Sequence, residues 1–264
     1  MPILVRQAKA CRKIYYADLA EEIGIQNPRN LNYPLGSIGT ALKKLSEAWG
    51  EEIPQIQCIV VNQNAELPGE GIGSFITDGN KFKKLSAKQK KALLDGVLAK
   101  IYDYDKWDSV LNALGLQPAS IDEATRKKVQ KAAITKRGAG GEGEQHKKLK
   151  LHIKNNPSCV GVNLNSLEAE TEKCLPSGDS VDVFFENPKH WVGVEVKSEI
   201  SDEIDIIRGL YQCVKYQAVM ESYLSVLNIQ KDVRVILALG CEFPISLISI
   251  KNTLGIEVIE GINA

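Results

Sequence analysis

The spacing of apolar residues changes character along the chain. Through roughly the first half they recur at helical intervals. Ile14 to Gly24 carries one such stripe and closes on a glycine able to end a helix. Ile38 to Trp49 repeats it with Ile38, Leu42 and Leu45 on one face. The β-branched run Ile56 to Val61 predicts a strand, followed by a glycine loop over 67–73. Ser86 is placed to cap a helix running to about Tyr102. Further helices are expected over Lys106–Leu114, stopped by Gly115, and over Thr125–Lys136.

After Arg137-Gly138-Ala139-Gly140-Gly141 the period shortens. A helix is expected from Glu142 to about Asn155, then strands at Cys159–Leu164, Ser180–Glu186 and Trp191–Lys197. A long helix over Asp202–Leu227, an apolar strand at Val233–Leu239, a helix over Ile245–Leu254 and a strand at Ile256–Ile259 complete the pattern. The order α-β-β-β-α-β-α-β predicts an α/β domain (α+β for the whole chain), a mixed sheet flanked by helices.

The expected division is therefore 1–80, 81–137 and 138–264, with the glycine run as the last boundary. Two helices, a strand and a glycine loop are the order of a winged helix-turn-helix, so 1–80 is a candidate DNA-binding module. Small α+β modules that never touch DNA share that order. The glycine run is not a phosphate-binding loop, because no Gly-Lys-Ser/Thr follows it, and no nucleotide cofactor is expected.

Charge sharpens the division. Residues 81–154 hold 18 Lys/Arg against 8 Asp/Glu, whereas 155–264 hold 8 against 16 and 1–80 hold 7 against 9. A basic middle suits a polyanion and an acidic end suits divalent cations; solvated helix faces account for the former equally well. The six cysteines lack paired or zinc-ligand spacing and read as reduced thiols. No apolar run approaches a membrane span, so a cytoplasmic location without membrane contact is expected.

The candidate chemistry lies in Val181-Asp182-Val183-Phe184-Phe185, a turn at Asn187-Pro188, and Val194-Glu195-Val196-Lys197. Strand residues two apart share a face, so Glu195 and Lys197 project together, and a short turn would bring Asp182 beside them. Two carboxylates and an amine in a sheet centre are costly to bury without a cation or substrate. Mg²⁺, or Mn²⁺ in its place, is the natural partner. A surface hairpin held by salt bridges is the plainer alternative.

Asp182 with Glu195-Val196-Lys197 resembles the motif of the PD-(D/E)XK nuclease superfamily, over roughly residues 140–260, although Val181 stands where the name has proline. The resemblance implies a restriction-endonuclease-like fold and metal-dependent cutting of double-stranded DNA. It implies that Asp182, Glu195 and the Val196 carbonyl hold the metal while Lys197 orients the attacking water. It also implies a glutamate on the first helix. Helical spacing places Glu142 with His146, Leu149 and Ile153 and favours it over Glu144, although a first-turn acid also suits the helix dipole. His146 itself reads as an exposed helix residue. Gln212 lies on a helix like the family's glutamine-bearing one, where it and Lys215 are expected near the scissile phosphate. Cutting both strands with one site per chain asks for two chains, which makes a homodimer a candidate state. A restriction or phage-defence setting, or DNA repair, follows. A non-catalytic DNA-binding protein with a degenerate nuclease fold is the first rival, and a scaffold recruiting partners through its charged halves the second.

Overall fold

The computed structural model describes residues 1–134, 143–163 and 165–264. Contacts gather the chain into two units, Met1–Ser120 and Ile121–Ala264.

The first unit contains α1 (Pro2–Lys9), β1 (Ile14–Tyr15), α2 (Tyr16–Glu22), α3 (Asn32–Trp49), β2 (Val60–Val61), α4 (Gly73–Ile76), α5 (Gly79–Lys84), α6 (Ala87–Asp103) and α7 (Trp107–Ala113). α3 starts earlier than its apolar stripe suggests. Asn27 caps a 3-10 turn at Pro28–Leu31 that feeds directly into it, and Gly50 closes it at φ 63°. The β-branched run divides between a 3-10 turn, Ile56–Ile59, and the two-residue β2. β2 pairs parallel with β1. Among the described residues of this unit the strands therefore do not build the antiparallel hairpin of a wing. Of the helices expected as a connector, α6 and α7 also belong to this unit, since Ile101, Trp107, Val110 and Leu111 share one core with Leu4, Leu42 and Ile56. α6 begins with a reciprocal cap in which Ser86 and Gln89 satisfy each other's backbone N–H groups.

The second unit holds α8 (Glu123–Ile134), α9 (Glu144–Asn155), β3 (Glu168–Cys174), β4 (Ser180–Glu186), β5 (His190–Lys197), α10 (Glu203–Val226), β6 (Asp232–Leu239), α11 (Ile248–Leu254) and β7 (Glu257–Ile259). The division falls ahead of the glycine run because α8 packs on α10 and buries Ala132 in the second unit's core. The glycine run lies outside the described residues.

The sheet order is β3-β4-β5-β6-β7, antiparallel from β3 to β5 and parallel from β5 to β7. This is the mixed, helix-flanked sheet expected, with one change of strand. The segment expected as a strand from Cys159 forms a 3-10 turn at Pro157–Val160, and Gly161 at φ 65° bends it, while Val160 and Val162 are buried. Val160 and Val162 pack under the sheet instead of joining it, and Leu164 lies outside the described residues. The outer strand is the charged β3, whose alternate residues are exposed. Charge on an edge strand blunts pairing with other chains. Alternation along β6 puts Leu237 in a core with Leu210, Cys213 and Met220 of α10, and Ile236 and Ala238 in another with Leu149 and Ile153 of α9. The two helices thus cover opposite faces of the sheet.

Candidate active site

The site forms where the sheet comes apart. Between β3 and β4 the pairing passes from Thr171–Val183 to Lys173–Val181 without a Glu172–Asp182 rung. Glu172 there has φ 58°, a left-handed value that breaks the strand's regular course. Between β4 and β5 the ladder runs from Glu186–Trp191 and stops at Val183–Val194. On an antiparallel edge every second residue offers its N–H and C=O to the neighbour, so Val196 is the next position facing β4 after Val194. Its N–H goes instead to the Asp182 carboxylate, at 2.8 Å from Oδ2. The alternation opens the Val196 carbonyl on that same edge.

Glu195 and Lys197 occupy the other register of β5, on the face covered by α10. Glu195 is fully buried, and its Oε1 accepts from Lys197 Nζ at 2.6 Å. Lys197 Nζ also donates to Gln212 Oε1 at 3.3 Å, and Gln212 Nε2 lies 3.2 Å from the Tyr216 hydroxyl. That hydroxyl donates to the Ser180 carbonyl at 3.0 Å, tying α10 to the start of β4. Gly209 makes this approach feasible: a Cβ there would lie 2.7 Å from Leu237 Cδ1 and 3.1 Å from Lys197 Cε. A side chain at that position would require Leu237 or the lysine stem to shift.

The two acids sit in opposed electrostatic settings. Burial acts to raise the Asp182 carboxyl, yet His146, the Val196 N–H and the Lys197 charge together hold it below the usual carboxylate range. For Glu195 burial wins; the Lys197 charge opposes it and the Asp182 charge adds to it, leaving the carboxyl above its ordinary value. Burial and the Glu195 charge push the Tyr216 phenol upward, so it keeps its proton. Glu195 Oε2 is buried with no hydrogen-bond partner among the described residues. A buried carboxylate oxygen left without a donor calls for a cation. Among the described residues no three His, Cys, Asp or Glu side chains cluster as metal ligands. Two carboxylates and one main-chain carbonyl nevertheless fit Mg²⁺, a hard ion that takes few protein ligands, keeps its waters and prefers oxygen.

The structure thus brings Asp182, Glu195, Val196, Lys197 and Gln212 to one place. Glu142 lies outside the described residues. Glu144 is exposed at the start of α9. Lys215 is exposed on α10 and pairs with Asp179 at 2.7 Å. Two residues of the site escaped the sequence reading. Tyr216 was assigned no role from the sequence, although its spacing of four from Gln212 puts both on one face. His146 reads as a surface residue but lies with Nε2 3.4 Å from Asp182 Oδ1. Its place on the stripe of Leu149 and Ile153, both buried, is the signal that could have found it.

No protein-family model matches the chain, and no curated protein matches it. Among solved structures, an EndoMS–dsDNA2 complex is similar at 15% identity and a TM-score of 0.32, over 48% of this chain and 48% of that one. The chain spans about half the length of that protein, and a likeness this low carries no weight for what this chain does.

Proposed function

We propose that the chain hydrolyses phosphodiester bonds of double-stranded DNA, with Mg²⁺ or Mn²⁺ held by Asp182, Glu195 and the Val196 carbonyl. One observation carries the reading: a fully buried glutamate with one oxygen paired to a lysine and the other unpartnered, beside a second carboxylate at a gap in the sheet. A surface salt bridge leaves no such oxygen buried, and a fold kept only for binding has no need of both acids and the ammonium.

A divalent cation there supplies charge neutralisation at a phosphate oxygen and an acidified water. The chain's residues supply placement. Asp182 is fixed by the Val196 N–H on one oxygen and faces His146 on the other. Gln212 and Glu195 aim the Lys197 ammonium, which orients the attacking water and offsets the charge that builds on the phosphate. Tyr216, still protonated, braces Gln212 against β4. Restriction of foreign DNA or DNA repair is the setting this chemistry serves, and a homodimer would place two sites on the two strands.

The test is cleavage of plasmid and phage DNA, plain and modified, by the wild type, Asp182→Ala and Lys197→Ala. Each is assayed with Mg²⁺, with Mn²⁺ and with chelator. Metal-dependent cutting is expected of the wild type alone, while the lysine variant still binds DNA. Cutting by either variant at the wild-type rate would falsify the assignment. A wild type that cuts none of these DNAs returns the chain to the reading of a DNA-binding protein without catalysis.

A further inference from the structure

The first unit carries 15 Lys/Arg against 13 Asp/Glu, a near balance. The balance is not local. Residues 79–94 hold six lysines and no acid, so the rest of the unit has 9 basic residues against 13 acidic. Of the six other lysines in this unit, four find acids: Lys9 with Asp108, Lys13 with Glu66, Lys100 with Glu52 and Lys106 with Glu51. Among the six lysines of 79–94 only Lys90 does so, at 3.6 Å from Glu70. Lys81, Lys83, Lys84, Lys88 and Lys91 are exposed, and none has an ion-pair partner among the described residues.

The lysines stand on a fixed base. Phe82 is buried between them, and a Cβ on Gly73 of α4 would lie only 2.6 Å from its Cβ. Lys90 lies over the same ring, 5.3 Å from its centroid, which ties α6 to α5. The Ser86–Gln89 cap fixes the corner between the two helices. Lys81 and Lys84, and Lys88 and Lys91, are each one helical turn apart, so like charges are held close on rigid elements. Such repulsion is relieved when a polyanion replaces bulk counterions.

We infer that the α5–α6 corner is a binding surface for the phosphate backbone of duplex DNA. Single-strand readers add exposed aromatic platforms to their basic grooves. Here the one aromatic residue among 79–94, Phe82, is buried under the lysines. Phosphate contacts of this kind position a duplex without reading its sequence. The choice of DNA rests on the nuclease reading above; the surface itself does not.

The experiment measures anisotropy of a labelled 25-base-pair duplex in chelator over a salt series, with the full-length protein. Wild type is compared with Lys84→Gln/Lys88→Gln/Lys91→Gln and with the control Lys100→Gln/Lys106→Gln, each first checked for an unchanged melting transition. The triple variant is expected to lose about tenfold or more in affinity and to flatten the log–log salt slope by about 0.9 per lost phosphate contact. The control should match wild type. An unchanged slope in the triple variant, an equal loss in the control, or equal affinity for a single strand or an RNA duplex overturns the inference. Cleavage is scored separately. A wild type that cuts DNA while the triple variant binds normally defeats only this surface, and one that binds through these lysines yet cuts nothing defeats only the nuclease.

Discussion

Replacing Lys197 by methionine tests whether the ammonium holds the buried acid in place. Methionine keeps an unbranched stem of similar length beside Gly209, so packing changes little while the charge is lost. Removing one partner of a buried ion pair costs about 3–5 kcal/mol, because the other charge is stranded. Glu195, fully buried and 2.6 Å from the lysine, can avoid that cost only by taking a proton. Its carboxyl is already above its ordinary value, and the lysine charge is what opposes a further rise. Without Lys197 the folded value climbs higher. A group whose folded value is raised contributes stability that is full below its unfolded value, near 4.5, and lost as pH rises through the folded value. The variant's deficit should therefore be small at pH 5 and grow toward pH 8, by at most about 1.4 kcal/mol per pH unit for the single proton.

Hydrogen exchange read on peptides from β4, β5 and α10 isolates this unit from the first, which a single melting curve would not. With chelator present, the ratio of wild-type to variant protection should grow at least tenfold from pH 5 to pH 8, with a ceiling of about a thousandfold for one proton over three pH units. A ratio independent of pH, or a variant as well protected as the wild type at pH 8, refutes the view that the lysine charge stabilises ionised Glu195.

Three further outcomes follow from other contacts. Gly209→Ala should lower stability by about 1–3 kcal/mol through overpacking and reduce cleavage by displacing Lys197, read by denaturant titration and plasmid nicking; wild-type values in both would mean α10 yields freely. His146→Ala should weaken Mn²⁺ binding about 10–100-fold in a DNA-free calorimetric titration, as loss of a group orienting a metal ligand does elsewhere. His146→Gln, which keeps a donor, should recover part of that loss, and equal affinity in both variants would remove His146 from the site. Ser86→Ala should cost the first unit about 1 kcal/mol and speed amide exchange in the first turn of α6, while leaving β5 exchange unchanged.

Much of the second unit was legible because its elements are long and one-sided or buried on both faces. α10 starts where Asp202 caps it and ends near its last apolar turn, and β6 follows its continuous apolar run. The misplaced strand shows where pattern fails. Val160 and Val162 are apolar because the sheet covers them, and β3 is polar because it is an edge; hydrophobicity reports burial, and pairing need not follow it. The first unit was less legible for a related reason. Its strands are two residues long and forty-six residues apart in register, Ile14 with Val60, so their parallel pairing is set by how the intervening helices pack and leaves no trace in local sequence.

The site shows the same division between what is local and what is not. Glu195 and Lys197 could be placed on one face from their spacing alone, because alternation is a property of any strand. Asp182 could not be placed so simply. Its position depends on a rung missing opposite Glu172 and on a ladder that stops at Val183, neither of which a hairpin drawn from sequence contains. That irregularity is what gives the arrangement its chemical character. Had β4 and β5 stayed paired to their ends, the Val196 N–H would have been used by the ladder and its carbonyl closed off. Because they part, one carboxylate fills the gap and fixes itself to the backbone, while the other remains buried with an oxygen unsatisfied. The sheet gives up hydrogen bonds at that point and, on the function proposed above, gains a place to hold a cation and a phosphate.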